Sequence, residues 1–400
     1  MKTHMTEYKD SYRAERDKDK CINCNICSRF LCKLDCYACG ACIKACPKEA
    51  RYFVKDERER KKIKIRINGI EKEVPERIPV REALKTLGYS FSRYPGKGIF
   101  SPCDVGGCFC CAVKINNSVM PSCITRVDEN MEIEIIEEPM LRVVSGYFPH
   151  EVGGVGTPHD LKGKGIIEVA GFCHGCNFHC GQCQNHNIAF TYGKAVDPER
   201  NASTLIMLKS LYGVNRIALS GGECTLNRNW LLSTLSRMRD FDKDVRLHVD
   251  TNGSLLERGY IDELVQSGMT DIGVDLKALE LETFMHITNV KDKKLAREYM
   301  KNAWDSVKYL VDNYSDEVFT GIGVPYNREL ISKEEIANMG EKIFKIKEDI
   351  QVCVLDYRPE FRRTWLKRPS FKEMVEIKNI LNGVGLKVVI AQTPLGHIGP

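Results

Sequence analysis

The chain has 400 residues, with 59 basic and 54 acidic side chains and a formal net charge of +5, so it carries no global field to draw a nucleic acid or a membrane surface. Its length exceeds what one hydrophobic core usually absorbs, and two or three domains are expected. The charge-dense start, Met1 to Lys20, lacks an apolar centre, and no apolar run reaches the roughly eighteen residues of a membrane span, so a cytoplasmic location is expected. Nineteen cysteines in tight CxxC-type groups of a large chain favour metal over disulfides, with iron the first suspect.

Residues 1–55 form a polar leader and an eight-cysteine segment with too few large apolar residues to fold around carbon alone, so metal is expected to supply the core. Cys36-x2-Cys39-x2-Cys42-x3-Cys46-Pro47 has the bacterial ferredoxin spacing, in which three cysteines hold one 4Fe-4S cluster and the fourth serves its neighbour. The preceding run of Cys21, Cys24, Cys27 and Cys32 offers the other half. The pairing would be Cys21, Cys24 and Cys27 with Cys46, and Cys36, Cys39 and Cys42 with Cys32. No proline follows Cys32, and only three residues separate it from Cys36 where ferredoxins insert a hairpin. One cluster with spare thiols therefore stands as the alternative to two.

In residues 56–140, Lys62 to Val74 alternates apolar and polar residues about Asn68-Gly69, a hairpin turn dipeptide; Arg81 to Leu87 reads as a short helix. Strands are expected at Ala112 to Ile115 and Met131 to Ile136. Between the helix and the last strand, Cys103-x4-Cys108-x2-Cys111 followed by Cys123 has plant-type 2Fe-2S spacing. The whole resembles the β-grasp 2Fe-2S domains of oxidoreductases. Zinc is the alternative, and Cys110 is expected to pack rather than ligate. Residues 141–164 are rich in glycine and read as a linker or cover loop; Gly153-Gly-Val-Gly156 lacks the strand and helix that a phosphate loop needs.

From Gly165 the pattern becomes short apolar strands alternating with amphipathic helices. Strands are expected at Ile166–Gly171, Arg216–Ser220, Val245–Asp250, Asp271–Asp275, Val318–Gly323, Gln351–Asp356 and Lys387–Ala391. Helices are expected at Ser203–Leu211, Asn229–Arg239, Leu255–Ser267, Lys293–Asn313, Lys333–Lys347 and Phe371–Leu381. Such alternation predicts a parallel sheet curled into a partial or complete barrel, with active residues at the C-terminal strand ends.

After the first of these strands stand Cys176, Cys180 and Cys183, whose spacing can ligate three irons of a cubane and leave the fourth open. A four-cysteine zinc site using Cys173 is the alternative, although zinc ribbons place a longer interval between cysteine pairs. With Gly221-Gly222-Glu223, Asp250-Thr251-Asn-Gly and Asp275-Leu-Lys277 at the following strand ends, residues 165–400 resemble the radical S-adenosylmethionine (SAM) superfamily, and within it the activating enzyme of pyruvate formate-lyase. The resemblance implies that Gly221, Gly222 and Glu223 bind the methionine amino group. It implies that Asp250, Thr251 and Asp275 help hold a monovalent cation, and that Lys277 lies near the cofactor carboxylate. Gln182 departs from the aromatic residue usual in activating enzymes, and Cys173 is extra.

The fold class so implied is α/β: a partial (β/α)6-type radical SAM barrel preceded by a small α+β ferredoxin segment and a β-grasp 2Fe-2S domain. The expected cofactors are a 4Fe-4S cluster with an open iron, SAM, one or two further 4Fe-4S clusters and one 2Fe-2S cluster. The expected activity is reductive cleavage of SAM to methionine and a 5'-deoxyadenosyl radical that abstracts hydrogen from a protein glycine or another organic substrate. An external low-potential donor would feed the amino-terminal clusters, with no nucleic-acid or membrane partner. The alternatives are a radical SAM methyltransferase or other modifying enzyme, and a multi-cluster electron carrier. No residue is singled out as catalytic. Asp356, Tyr357, Arg358 and Arg363 are candidates to line a substrate pocket, against surface charge for the arginines, and His286 is read as structural.

Overall fold

The eight-cysteine segment is tied at its ends by two short strands, β1 (Tyr12–Arg16) and β2 (Arg51–Lys55), which pair antiparallel with Tyr12 opposite Lys55 and Arg16 opposite Arg51. The computed structural model describes residues 11–30, 32 and 35–400; the first ten residues of the polar leader lie outside them. The rest of the leader is therefore partly strand, which its charged sequence, without apolar alternation, does not reveal. A single turn of helix, α1 (Ala41–Ala45), carries Cys42.

The chain divides into two compact units, the first comprising residues 1–144, 173–177 and 185–197, the second the remainder. In the first unit, β3 (Lys62–Ile67) and β4 (Ile70–Pro75) form the expected hairpin, and Asn68 and Gly69 both have positive φ, as a two-residue turn of this kind requires. Helix α2 (Val80–Thr86) follows, then the two-residue strands β5 (Phe91–Ser92) and β6 (Ile99–Phe100), then β7 (Ala112–Ile115), β8 (Ser118–Pro121) and β9 (Met131–Ile135). The five longer strands lie in the order β4-β3-β9-β7-β8, with β3 and β9 parallel. Ile65, Ile67, Val113 and Ile133 on this sheet pack against Val80, Ala83 and Leu84 of α2 in one buried cluster.

The unit boundary passes through β10 (Arg142–His150). This strand falls where the glycine-rich sequence predicts a linker; Val143 and Val144 bury apolar side chains, and ladder bonds from neighbouring strands outweigh the weak local propensity. The elements that follow are β11 (Glu168–Cys173), α3 (His186–Ala189), β12 (Ala195–Val196), α4 (Pro198–Tyr212), β13 (Arg216–Gly221), α5 (Arg228–Phe241), β14 (Arg246–Thr251) and α6 (Arg258–Gln266). Then come β15 (Asp271–Asp275), α7 (Leu281–Thr288), α8 (Lys293–Tyr314), β16 (Phe319–Tyr326), α9 (Lys333–Phe344), β17 (Gln351–Asp356), α10 (Phe371–Gly383), β18 (Val389–Thr393) and β19 (Gly396–Ile398). Strands β13 to β18 run parallel in sequence order, and β19 folds back antiparallel on β18. The order never returns to its first strand, so the barrel is partial. Its helices start where capping chemistry allows: Asp292 accepts from Lys294 and Leu295 at α8, and Ser370 with Glu373 forms a capping box at α10.

Candidate active site and cysteine centres

In the first unit, the side chains of Cys103, Cys108, Cys111 and Cys123 are all buried, and the Cys103–Cys108, Cys103–Cys123 and Cys111–Cys123 pairs lie within hydrogen-bonding reach. The backbone N–H groups of Val105 and Cys108 also point at the Cys103 sulfur. Four converging thiols with amide donors aimed at them are the donor set of a 2Fe-2S cluster. The sulfur of Cys110 faces the Cys108 carbonyl at 3.7 Å. Asp104, buried beside these ligands, takes Lys44 at 2.6 Å and the guanidinium groups of Arg81 and Arg93. Burial works against its charge, but the three cations hold its carboxyl far below the usual range. Sequence spacing did not single out this anchor, because its partners come from three separate segments.

The amino-terminal thiols surround two cavities. Cys21, Cys24, Cys27 and Cys46 line one; Cys32, Cys36 and Cys42 line the other, which also touches Cys27. Cys32 lies within hydrogen-bonding reach of both Cys36 and Cys39. Donors reach the sulfurs from outside: Ala14 N–H to Cys36 at 3.2 Å, Ala50 N–H to Cys46 at 3.2 Å and the Arg51 guanidinium to Cys27 at 3.3 Å. N–H donors aimed at sulfur are the surroundings that an iron-sulfur cluster uses. Tyr37 donates to the Ile124 carbonyl at 2.5 Å, and with the Lys44–Asp104 pair it places this segment beside the Cys103–Cys123 ligands.

The same unit contains residues 173–177, the start of the third cysteine loop. Two glycines make a backbone junction there. A Cβ on Gly107 would meet His174 Cβ at 2.7 Å and Gly175 N at 2.8 Å, and one on Gly175, where φ is +82°, would meet Cys108 N at 2.9 Å and Cys103 Cβ at 3.0 Å. Only glycine allows the residue next to Cys176 to lie directly on the Cys103–Cys108 loop. His174 is pinned by its N–H on the Val143 carbonyl at 2.9 Å and its ring on Thr191.

In the second unit, the predicted residues fall at consecutive C-terminal strand ends. Gly221, with φ +113°, ends β13, and Gly222 leads into Glu223. The Glu223 carboxylate is only 1% exposed and accepts four hydrogen bonds. One oxygen accepts from Thr225 N at 3.0 Å, Thr225 Oγ1 at 2.6 Å and Thr251 Oγ1 at 2.7 Å; the other accepts from Asn252 N at 2.7 Å. Glu223 therefore ties the ends of β13 and β14 together, and Thr251 spends its hydroxyl on it. Asp250 and Asp275 keep 18% and 28% of their side chains accessible. Lys277 bonds Asp275 at 2.6 Å and the Tyr357 hydroxyl at 2.8 Å. Burial opposes its charge, but Asp275 and the groups around it raise its pKa, so the ammonium persists.

Beneath Asp250 lies a charge relay that the sequence did not announce. His248 is fully buried; its Nδ1 faces Glu168 at 3.2 Å and its Nε2 faces Asp250 at 3.0 Å. A ring between two carboxylates must donate from both nitrogens. Although burial pulls the other way, Asp250 and Glu168 raise its pKa to about 10. Glu168 also takes His150 at 3.0 Å and faces Arg216 at 3.7 Å. Burial disfavours its charge, yet His248 and His150 hold the carboxyl well below the usual range.

The Gly153–Gly156 run is neither a phosphate loop nor a free linker. It crosses the inner faces of β14 to β17. A Cβ on Gly154 would collide with the Asp250 carboxylate, one on Gly156 would meet Gly273 N at 2.5 Å, and one on Gly321 would meet the Val155 carbonyl. Gln351 holds the crossing by donating to Val155 O at 3.0 Å and Thr157 O at 2.9 Å. Strand glycines and loop glycines thus face each other, and the loop fills the floor of the partial barrel. Of the later candidates, Asp356 is buried against Arg368, Tyr357 serves Lys277, and Arg363 grips the cysteine loop through Gly181 and Gln182.

Residues 171–345 match the family model of the Radical SAM superfamily, and residues 60–138 match that of a 2Fe-2S iron-sulfur cluster binding domain. The chain is 31% identical over 119 residues to "Probable GTP 3',8-cyclase" of Thermoplasma volcanium, covering 30% of this chain and 35% of the relative. It is 33% identical over 115 residues to GTP 3',8-cyclase of Mesorhizobium japonicum, covering 28% and 34%. This chain therefore spans 35% and 34% of the length of these two curated relatives. Among solved structures, Streptococcus suis SuiB bound to S-adenosylmethionine gives a TM-score of 0.40 at 16% identity over 52% of this chain and 44% of that one. Coproporphyrinogen III oxidase (HemN) from Escherichia coli gives 0.39 at 15% over 56% and 54%. The fold is the radical SAM α/β partial barrel, with a 2Fe-2S domain before it. The superfamily level of the resemblance holds, whereas these curated relatives carry a different activity from the activating enzymes. Among the described residues no helix is long and apolar enough to cross a membrane.

Proposed function

Starting from a radical SAM barrel joined to iron-sulfur modules, we propose that this protein cleaves SAM reductively and uses the resulting radical to abstract hydrogen from an organic substrate. The observation that carries this reading is the row of Asp250, Asp275 and Lys277 at consecutive parallel strand ends of a sheet whose β11 leads into the Cys176, Cys180 and Cys183 loop. Cys176, Cys180 and Cys183 would hold a 4Fe-4S cluster, which when bound would supply the electron for reductive cleavage of the sulfonium C–S bond. The chain's own contribution is electrostatic. Asp250 and Asp275 offer carboxylate to the methionine ammonium, Lys277 offers its ammonium to the carboxylate, and Glu223 braces the two strand ends that carry them. The Val155 loop closes the barrel floor and keeps bulk water from below the site.

The Gly107–Gly175 junction supports electron entry from the Cys103, Cys108, Cys111 and Cys123 centre, fed in turn by the two amino-terminal thiol groups and an external low-potential donor. The test is anaerobic reconstitution and reduction of the full chain with SAM. 5'-Deoxyadenosine and methionine should form in equal amounts and vanish in Cys176→Ala, while a wild type that forms neither ends the proposal. For the substrate, the activating-enzyme segments favour a protein glycine, and the GTP 3',8-cyclase relatives favour a nucleotide. Deuterium transfer into 5'-deoxyadenosine from labelled glycyl protein or labelled GTP separates the two.

A further inference from the structure

We propose that Arg363 is a positioning residue for the cysteine loop: it clamps the turn between Cys180 and Cys183 and, as a fixed cation, raises the reduction potential of the cluster those cysteines help to hold. This inference rests on the radical SAM reading above. Arg363 lies beyond β17, far from the loop in sequence. Its backbone N–H and that of Arg362 both donate to the Gly181 carbonyl at 2.9 Å. Its guanidinium donates from Nη1 to Gln182 Oε1 at 2.9 Å and from Nη2 to the His286 carbonyl at 2.6 Å. Gln182 is 2% exposed, and its amide N–H2 reaches the Ile287 carbonyl at 3.3 Å. Gln182 therefore bridges Arg363 and the end of α7 at the position where activating enzymes carry an aromatic ring.

The fit depends on Gly181. A Cβ there would meet Arg363 Nε at 2.9 Å, Cγ at 3.0 Å and Cδ at 3.2 Å, so glycine lets the arginine stem lie flat across the loop. A second layer fixes the same turn: His179 N–H donates to the Thr288 carbonyl at 2.9 Å, and its ring packs edge-on against Phe361 with centroids 5.7 Å apart. Reduction adds negative charge to a thiolate-ligated cluster, so a nearby permanent cation stabilises the reduced form. A lysine would keep that charge but lose the planar fork that serves Gln182 and His286 together.

The experiment uses the reconstituted full chain and follows the SAM-sensitive part of the reduced EPR spectrum during a redox titration, with the rate of iron loss to a chelator as second readout. Arg363→Gln should lower the reduced-to-oxidised ratio of that component about tenfold at fixed potential, which for a one-electron couple is about 59 mV. Arg363→Lys should keep the potential while the cluster loses iron faster. Gln182→Leu should lose iron faster at unchanged potential, and it keeps the clamp testable should an arginine variant fold poorly. Wild-type potential or wild-type iron loss in Arg363→Gln, or wild-type iron loss in Gln182→Leu, overturns the inference. A wild type without any SAM-sensitive component would instead overturn the radical SAM reading.

Discussion

Replacing Glu168 by glutamine tests the buried relay beneath the candidate site. The carboxylate is fully buried and receives His150 on one oxygen and His248 on the other, with Arg216 alongside. Glutamine keeps the shape but removes the charge and leaves His248 with Asp250 as its one carboxylate partner. Breaking one side of a buried ion pair costs about 3–5 kcal/mol. The three tryptophans, Trp230, Trp304 and Trp365, all lie in the second unit, so urea unfolding followed by tryptophan fluorescence reports on this unit alone. At pH 7.5 the variant should lose about 3–5 kcal/mol of unfolding free energy with the urea slope unchanged. A carboxyl whose folded value is depressed contributes stability that is complete above its unfolded value, about 4.3, and is lost as pH falls through the folded value. Because His248 and His150 depress Glu168, the gap between wild type and variant should hold down to about pH 4.3 and close only at stronger acid. A loss below about 1 kcal/mol at pH 7.5, or a gap that closes already near neutrality, would refute the relay as a source of stability.

Gly156→Ala should cost the second unit about 1–3 kcal/mol in the same assay, because its Cβ meets Gly273 N at 2.5 Å and the Ile272 carbonyl carbon at 2.4 Å. Gly259→Ala, in α6 with open space around the new methyl, should instead stabilise by about 0.5–1 kcal/mol. Asp104→Asn strips the partner of Lys44, Arg81 and Arg93, so the visible circular dichroism of the 2Fe-2S centre should fade faster on warming; an unchanged rate would remove Asp104 as its anchor. Tyr357→Phe deletes one of two partners of Lys277 and, at about 1 kcal/mol for the lost bond, should weaken SAM binding about fivefold by isothermal titration, with equal affinity counting against Lys277 as a contact.

Much of the architecture was readable from local pattern. The Asn68-Gly69 turn fixed the first hairpin through backbone conformation that few other dipeptides adopt, and the strands at Asp271–Asp275 and Gln351–Asp356 lie where apolar runs placed them. Strand β10 was missed because Gly146 and its neighbours show no alternation; its order comes from pairing partners distant in sequence. The helix at Leu281–Thr288 was likewise passed over, being only two turns long.

What the sequence determined by itself was the inventory of chemistry: cysteine spacings that suit iron, and short acidic and basic segments placed at strand ends. Ligand spacing and strand periodicity are local, so they survive in one dimension. Only the tertiary structure decided what each of those groups touches. It tied Glu223 to Thr225, Thr251 and Asn252, laid the Gly153–Gly156 run across the barrel floor, and set Arg363 on the Cys180–Cys183 turn. Each of those outcomes rests on a contact between segments far apart in the chain, where hydrogen-bond satisfaction and backbone clearance are settled by packing rather than by neighbouring residues.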